Sequence, residues 1–281
     1  MTTPMFEQYH QLKSNHPDAI LFFRMGDFYE VFFDDAKIAS KVLDIALTSR
    51  NRNDPNPIPM AGVPHHAATT YVQKLTEEGY RVAIAEQVED PATAKGLVRR
   101  EVVKVVTPGI SLDSSLLDAN TGVYVAAISY SGGLWGLAFY DISTGDLKVT
   151  QVANAEQVIS EIARMQPKEA IIAPEVAGNK DITGALDAVQ IMISNLEPEA
   201  WVASEATREL KDTLGVQDLS CFDLKDLPIG ALAAGAVVRY ARTQSGGTLH
   251  NLHQVRPYRT HTHMVLDETT RRNLEITKTL I

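Results

Sequence analysis

Ala19-Ile20-Leu21-Phe22-Phe23-Arg24-Met25-Gly26-Asp27-Phe28-Tyr29-Glu30-Val31-Phe32 decides the fold class of the first half of this chain. Ala19 to Phe23 is an apolar run with no alternation, the pattern of a strand buried on both faces. Gly26-Asp27 then reads as a turn, because glycine supplies a backbone conformation that other residues resist. Phe28 follows the turn directly and is placed at its tip. Phe32, Ala36, Ala39 and Leu43 recur at helical spacing. Strand, turn and helix in immediate succession indicate an α/β domain.

Working outward, Met5, Tyr9 and Leu12 predict a helix before the strand. Tyr71, Val72 and Leu75 predict another, stopped at Gly79. Arg81–Val88 and Arg99–Val106 alternate as strands, with Asp90-Pro91 as the turn signal between them. This first domain, mixed-sheet α/β, spans 1–107, and the polar, punctuated 108–120 is a linker. The pattern then changes. Thr121–Tyr130, Leu134–Tyr140 and Asp146–Val152 read as three strands joined at Ser131-Gly132-Gly133 and Ser143-Thr144-Gly145. Asn154 caps a helix, with Gln157 in the capping-box position, and Pro167 ends it. Glu169–Ala173 and Ile191–Leu196 are further strands, and Ser204–Leu214 and Ile229–Arg242 are helices. Three hairpin-linked strands followed by alternating helices and strands resemble a ribonuclease H-like domain over 121–243. A linker over 244–263 and the start of a helical segment over 264–281 complete the chain, which reads as a piece of a longer protein.

Bulk properties narrow the function. The composition, 44% hydrophobic and 22% charged, is that of a folded protein with a core to bury. No apolar run approaches the roughly 18 residues of a membrane span, so no membrane role is expected. A single cysteine, Cys221, excludes an internal disulfide and a cysteine zinc site, and a reducing cytoplasm is the simplest setting. The net charge of −9 is unfavourable for nucleic acid as a whole, but it is uneven. Residues 1–110 carry 14 acids and 12 bases, and 111–281 carry 21 acids and 14 bases. The first part can support a local basic patch; the second suits a protein contact.

Three segments carry a resemblance: Arg24 to Phe32, then Pro57-Ile58-Pro59-Met60-Ala61-Gly62-Val63-Pro64-His65-His66-Ala67, then Asp90-Pro91-Ala92-Thr93-Ala94-Lys95-Gly96 with Val105-Val106-Thr107-Pro108-Gly109. Asp141-Ile142-Ser143-Thr144-Gly145 and Thr270-Arg271-Arg272-Asn273-Leu274-Glu275-Ile276 extend it. In order and spacing these resemble the MutS family of bacterial DNA mismatch repair proteins along the whole chain. The resemblance implies an N-terminal mismatch-recognition domain, a connector domain and the start of the helical core, without the ATPase. It implies a protein of the cytoplasm, associated with the nucleoid. It implies ATP and Mg as cofactors of the full-length protein and none for this part, a full-length homodimer with this part monomeric, and a connector that docks a MutL-type partner.

By that resemblance, Phe28 and Glu30 are the Phe-x-Glu pair that reads mispairs in double-stranded DNA. An aromatic wedge that stacks on a base and kinks the duplex is selective because a defective pair unstacks more cheaply. A glutamate two residues on accepts a hydrogen bond from an imino N–H, and must be protonated to face a purine N7. Without the flanking match, Phe28 would by default be core and Glu30 a solvated acid. Met25 and Met60 resemble residues lining the wedge, although methionine is also a common gap-filler, and with the adjoining Asp27 they are further DNA-contact candidates. Arg50, Lys95, Arg99, Arg100 and Lys104 are candidate phosphate contacts, with Arg50 and Arg100 favoured by the resemblance. His250-x-x-His253 and His261-x-His263 have metal-ligand spacing but no accompanying ligands, and read as solvated loop residues.

Two other function classes compete. A nuclease on the ribonuclease H-like domain needs carboxylates on its first strand to hold metal ions, and Thr121–Tyr130 contains none. A pure protein-interaction module fits the acidic second domain and can coexist with DNA reading. A prediction follows from the charge. The 281 residues alone fold but bind a G·T duplex weakly, with little preference over homoduplex. Affinity comes mostly from phosphate contacts, and kinking costs on the order of several kcal/mol that one wedge at about 1–3 kcal/mol does not offset. Fluorescence anisotropy with labelled duplexes at physiological salt checks this; tight, mismatch-selective binding refutes it.

Overall fold

A computed structural model describes residues 3–51, 56–89, 96–110, 122–247, 249 and 251–260. The helix expected from 264 onward and the turn at Asp90-Pro91 lie outside the described residues. The chain forms two compact units, Met1–Leu116 with Gln244–Thr248, and Leu117–Thr243 with Leu249–Ile281. Among the described residues, no helix is long and apolar enough to cross a membrane.

The first unit is a six-stranded mixed sheet. Its elements are α1 (Pro4–Asn15), β1 (Ala19–Met25), β2 (Phe28–Phe32), α2 (Phe33–Leu43), β3 (Thr48–Arg50), β4 (Ile58–Pro64), α3 (Ala68–Glu77), β5 (Arg81–Gln87) and β6 (Arg100–Val106). The strand order is β3-β4-β2-β1-β5-β6. Only β1 and β5 run parallel, and the other neighbours are antiparallel. The apolar run Ala19–Phe23 is explained by this position. Ile20 and Phe22 enter a cluster with Leu43 of α2 and Val72 and Leu75 of α3. Leu21 and Phe23 enter another with Met5, Phe6 and Tyr9 of α1. Each face of the sheet therefore has its own helical cover, and the central strand has no polar side.

Sequence reading missed β2, β3 and β4. Phe32 ends β2 rather than beginning a helix, and α2 starts at once at Phe33, whose φ of 55° is rare for a residue with a side chain. Because β2 stops there, the part of β1 before Phe23 has no β2 partner. The buried Asp35 takes over: its Oδ2 accepts the Leu21 amide at 3.0 Å, and Oδ1 accepts Lys13 Nζ at 2.9 Å. A carboxylate of α2 thus completes the hydrogen bonding of the central strand, which an unpaired buried amide would otherwise weaken.

The second unit contains β7 (Val125–Ser131), β8 (Leu134–Asp141), β9 (Asp146–Val152), α4 (Ala155–Met165), β10 (Glu169–Ile172), α5 (Pro174–Ala177), α6 (Lys180–Ala188), β11 (Met192–Ser194), α7 (Ala203–Leu214), α8 (Pro228–Gln244) and β12 (Gln254–Pro257). The sheet order is β11-β10-β7-β8-β9-β12. The first three strands form an antiparallel meander, and β10 and β11 add in parallel to β7. This is the arrangement of the ribonuclease H-like expectation, and α5 and α6 are additions to it. The segment read as a linker over 244–263 supplies β12, which pairs in parallel with β9. Asn154 Oδ1 caps α4 by accepting Gln157 N at 3.0 Å. The Gln157 side chain returns to the Ala153 amide, one residue earlier than a capping box requires.

Helix α8 lies unusually close to this sheet. Ser129 Oγ donates to Ile229 O at 2.9 Å, and Ile229 N donates to Gln151 Oε1 at 2.9 Å. A Cβ on Gly136 would sit 2.0 Å from Ile229 O. Gly136→Ala is therefore expected to lower stability by about 1–3 kcal/mol through overpacking. Gly184, in α6, has nothing within 4 Å of an added Cβ, so Gly184→Ala is expected to stabilise by up to about 1 kcal/mol. Urea denaturation of the two variants checks the contrast.

Candidate nucleic-acid interface

Strand β2 is pinned from one side. Tyr29 and Val31 are buried in the cluster shared with α2 and α3. The Tyr29 ring lies 5.9 Å from Phe22 and 5.4 Å from His65, with the Arg24 guanidinium 5.6 Å above it. Its hydroxyl donates to Glu86 on β5. Burial, with Glu86 next, pushes the phenol pKa upward, so it remains a neutral donor. Period-two alternation then sends Phe28, Glu30 and Phe32 to the opposite face.

On that face the cover is incomplete. Phe32 is enclosed by α1, with Phe6 and Tyr9 each 5.2 Å away. Phe28, at the other end of the strand, is 49% exposed. Its cross-strand neighbours are Met25 on β1 and Pro64 on β4. The turn before it is fixed: Gly26 has φ +58°, and the Asp27 carbonyl accepts the His65 amide at 2.8 Å. Asp27 itself is exposed, so its observed bond is through the backbone. The default reading of Phe28 as core does not hold; the ring stands on a rigid strand and faces solvent.

Glu30 lies opposite Phe23 and Gly62. Gly62 is exposed and has no side chain, which leaves the face above Glu30 open. The Glu30 side chain retains 21% exposure and holds Arg50 Nη1 at 2.7 Å through Oε2. Burial pushes its pKa upward, and Arg50 followed by Arg100 pull it back. Arg50 comes from the edge strand β3 and also stacks over Phe32 at 5.9 Å. Met25 and Met60 are partly buried against the α1-side cluster. Phe28, Glu30, Met25, Met60 and Arg50 therefore share one region of one sheet face.

Three of the candidate phosphate contacts differ in placement. Arg100 is 5% exposed. Its guanidinium donates to Arg24 O at 2.6 Å, Val98 O at 2.7 Å and Gln8 Oε1 at 3.2 Å, and stacks on Phe23 at 4.8 Å. In this structure the cation braces the interior beneath Met25, and among the described residues its guanidinium is turned to backbone carbonyls, the Gln8 amide and the Met25 sulfur. Lys95 lies outside the described residues. Arg99 is exposed and pairs with Glu101. Of the histidine pairs, His253 is exposed, as a solvated loop residue would be, and the other three fall outside the described residues. Sequence reading did not single out Tyr29, Gly62 or Glu86; the alternation of Phe28 to Phe32 was the available signal for the first.

The family signature of MutS domain I matches residues 3–115, and that of MutS domain II matches 123–253. The chain is 46% identical over 280 residues to a DNA mismatch repair protein MutS from Desulfatibacillum aliphaticivorans, covering 99% of this chain and 31% of that protein. It is 42% identical to the DNA mismatch repair protein MutS of Symbiobacterium thermophilum, over 99% of this chain and 32% of that one. The corresponding protein of Lachnoclostridium phytofermentans is 41% identical, over 99% and 30%. The chain thus spans about a third of the length of the curated relatives it matches. With both signatures in chain order and that identity along nearly every residue, the chain belongs to the MutS family and carries its domains I and II.

Proposed function

We propose that the first unit reads mispaired double-stranded DNA, with Phe28 as the wedge and Glu30 as the hydrogen-bonding partner of the displaced base. The observation that carries this reading is Phe28 itself, an aromatic ring 49% exposed on a strand locked from behind by Tyr29. Inserted from the minor groove, such a ring stacks on one base of a step and kinks the duplex. Selection arises from the lower cost of unstacking a defective pair, so any base can be accepted. Glu30, two residues along on the same face, accepts from a thymine or guanine imino N–H. Met25 and Met60 flank the wedge, Asp27 shapes its turn, and Lys95 extends the candidate DNA contacts beyond the described residues.

In this reading the second unit is a connector. It docks a MutL-type partner and relays DNA binding to an ATPase, which with its ATP and Mg belongs to the remainder of a longer, homodimeric protein of the cytoplasm and nucleoid. This chain contains no G-x-x-x-x-G-K-S/T phosphate loop. A nuclease reading of the same fold is disfavoured because β7 has no carboxylate to hold a metal ion.

Phe28→Ala in the full-length protein is expected to leave the melting curve unchanged, since half the ring is already in water. It is expected to reduce mismatch preference by roughly five- to 150-fold, corresponding to about 1–3 kcal/mol of stacking. Binding titrations on G·T and matched duplexes measure this; an unfolded variant, or one with undiminished preference, overturns the wedge reading.

Glu30→Gln is expected to weaken selectivity less than Glu30→Ala, because glutamine keeps an acceptor and gains a donor. Both changes release Arg50 from its ion pair and remove a negative charge near phosphates, so homoduplex affinity rises in both. Unchanged homoduplex affinity in the two variants would place Glu30 away from DNA.

A further inference from the structure

Glu30 uses its two carboxylate oxygens unequally. Oε2 is held by Arg50 Nη1 at 2.7 Å, and Oε1 has no hydrogen-bond partner among the described residues. Arg50 reaches the carboxylate from β3, the edge of the sheet, and its guanidinium is steadied over the Phe32 ring at 5.9 Å. The pair is neither superficial nor closed off: the side chains are 33% and 21% exposed. We infer that Arg50 is a positioning and specificity-determining residue of the mismatch site, holding one oxygen of Glu30 and leaving the other as the single acceptor presented on the open sheet face. This rests on the proposed reading of Glu30.

The chemistry gives the pair a direction. Oε1 in an ionised carboxylate accepts and cannot donate. It therefore suits a base that offers an N–H, such as an imino group of thymine or guanine. To face a ring nitrogen acceptor, the carboxyl must take up a proton, and that proton dissolves the ion pair with Arg50. Arg50 thus biases the site towards mispairs that present a donor. The charged groups acting on Glu30 are Arg50 from β3 and Arg100 from β6, while its neighbours on β1 and β4, Phe23 and Gly62, carry no charge. Burial favours the protonated form and Arg50 is the larger of the two cationic influences opposing it. Without Arg50 the carboxyl protonates at higher pH, whichever form binds the base.

The test uses the full-length protein as parent, Arg50→Met, Arg50→Lys, Glu30→Gln and the Arg50→Met/Glu30→Gln double variant. The readout is the ratio of G·T to homoduplex affinity, from mildly acidic to mildly alkaline pH, with the salt dependence of each affinity. Arg50→Met is expected to move the pH midpoint of the ratio upward, Arg50→Lys to restore it towards the parent, and the Glu30→Gln background to abolish the shift. An unchanged midpoint, with both affinities falling alike and the salt slope reduced by about one, makes Arg50 an ordinary phosphate contact and overturns the inference. If Arg50→Met melts early, Arg50→Gln decides in its place: a midpoint displaced upward supports the inference, and a parental midpoint overturns it. Failure of Glu30→Gln to alter either the ratio or its pH dependence would overturn the reading of Glu30 itself, a result distinct from failure of the Arg50 variants alone.

Discussion

The burial of Tyr29 is the constraint from which the site follows. A strand has two faces, and a residue committed to one fixes its neighbours on the other. Tyr29 is committed twice, by ring packing against Phe22 and by its hydroxyl on Glu86. A buried phenol needs such a partner, so a register slip would strand the hydroxyl and also bury the Glu30 carboxylate. The half-exposed Phe28 forgoes part of the roughly 1.5–3 kcal/mol that full burial of such a side chain supplies. The two-sided core of the first unit sustains that loss. Asp35 contributes by letting β2 end early: it satisfies the Leu21 amide, so α2 can leave the sheet at Phe33 while β1 remains bonded.

How much of this was legible in the sequence depended on where the determining contacts lie. Ala19–Phe23 was readable because burial on both faces leaves a continuous apolar run. The meander β7 to β9 was readable because its turns carry glycines, Gly132 and Gly133 at φ +58° and +81° among them. Strand β4 was not, since Pro59, Gly62 and Pro64 are poor strand formers and only pairing with β2 and β3 makes the segment extended. The four-residue β12 likewise owes its conformation to β9, more than a hundred residues earlier.

The site divides in the same way. Phe28 and Glu30 were legible as a pair because their spacing is local. The partnership of Glu30 with Arg50 was not, because it spans 20 residues and the whole of α2. Arg99 and Arg100 look equivalent as adjacent cations, yet β6 begins between them and the two side chains part there. Arg99 is exposed beside Glu101, and Arg100 is turned inward to backbone carbonyls and the Phe23 ring. A basic dipeptide at the start of a strand can be half surface and half interior, and composition alone cannot say which half.

The charge balance of the first unit bears on how a wedge discriminates. Its cations are extensively paired: Lys13 with Asp35, Arg50 with Glu30, Arg81 with Asp18 and Arg99 with Glu101. A surface so compensated releases few counterions from a duplex and gains little affinity that is indifferent to sequence or mispairing. Weak indiscriminate affinity is useful to a reader of deformability. If phosphate contacts alone could hold the protein, every step of a matched duplex would compete, and the difference in unstacking cost would be a small part of the total. In the proposed reading, with those contacts spent internally, insertion of Phe28 would be a larger share of what this unit contributes, and the cost of opening a sound base pair would be felt in full. The same pairing explains why an acidic residue can stand beside the proposed wedge: Arg50 offsets the charge of Glu30 within the protein, so its approach to the phosphates carries less repulsion.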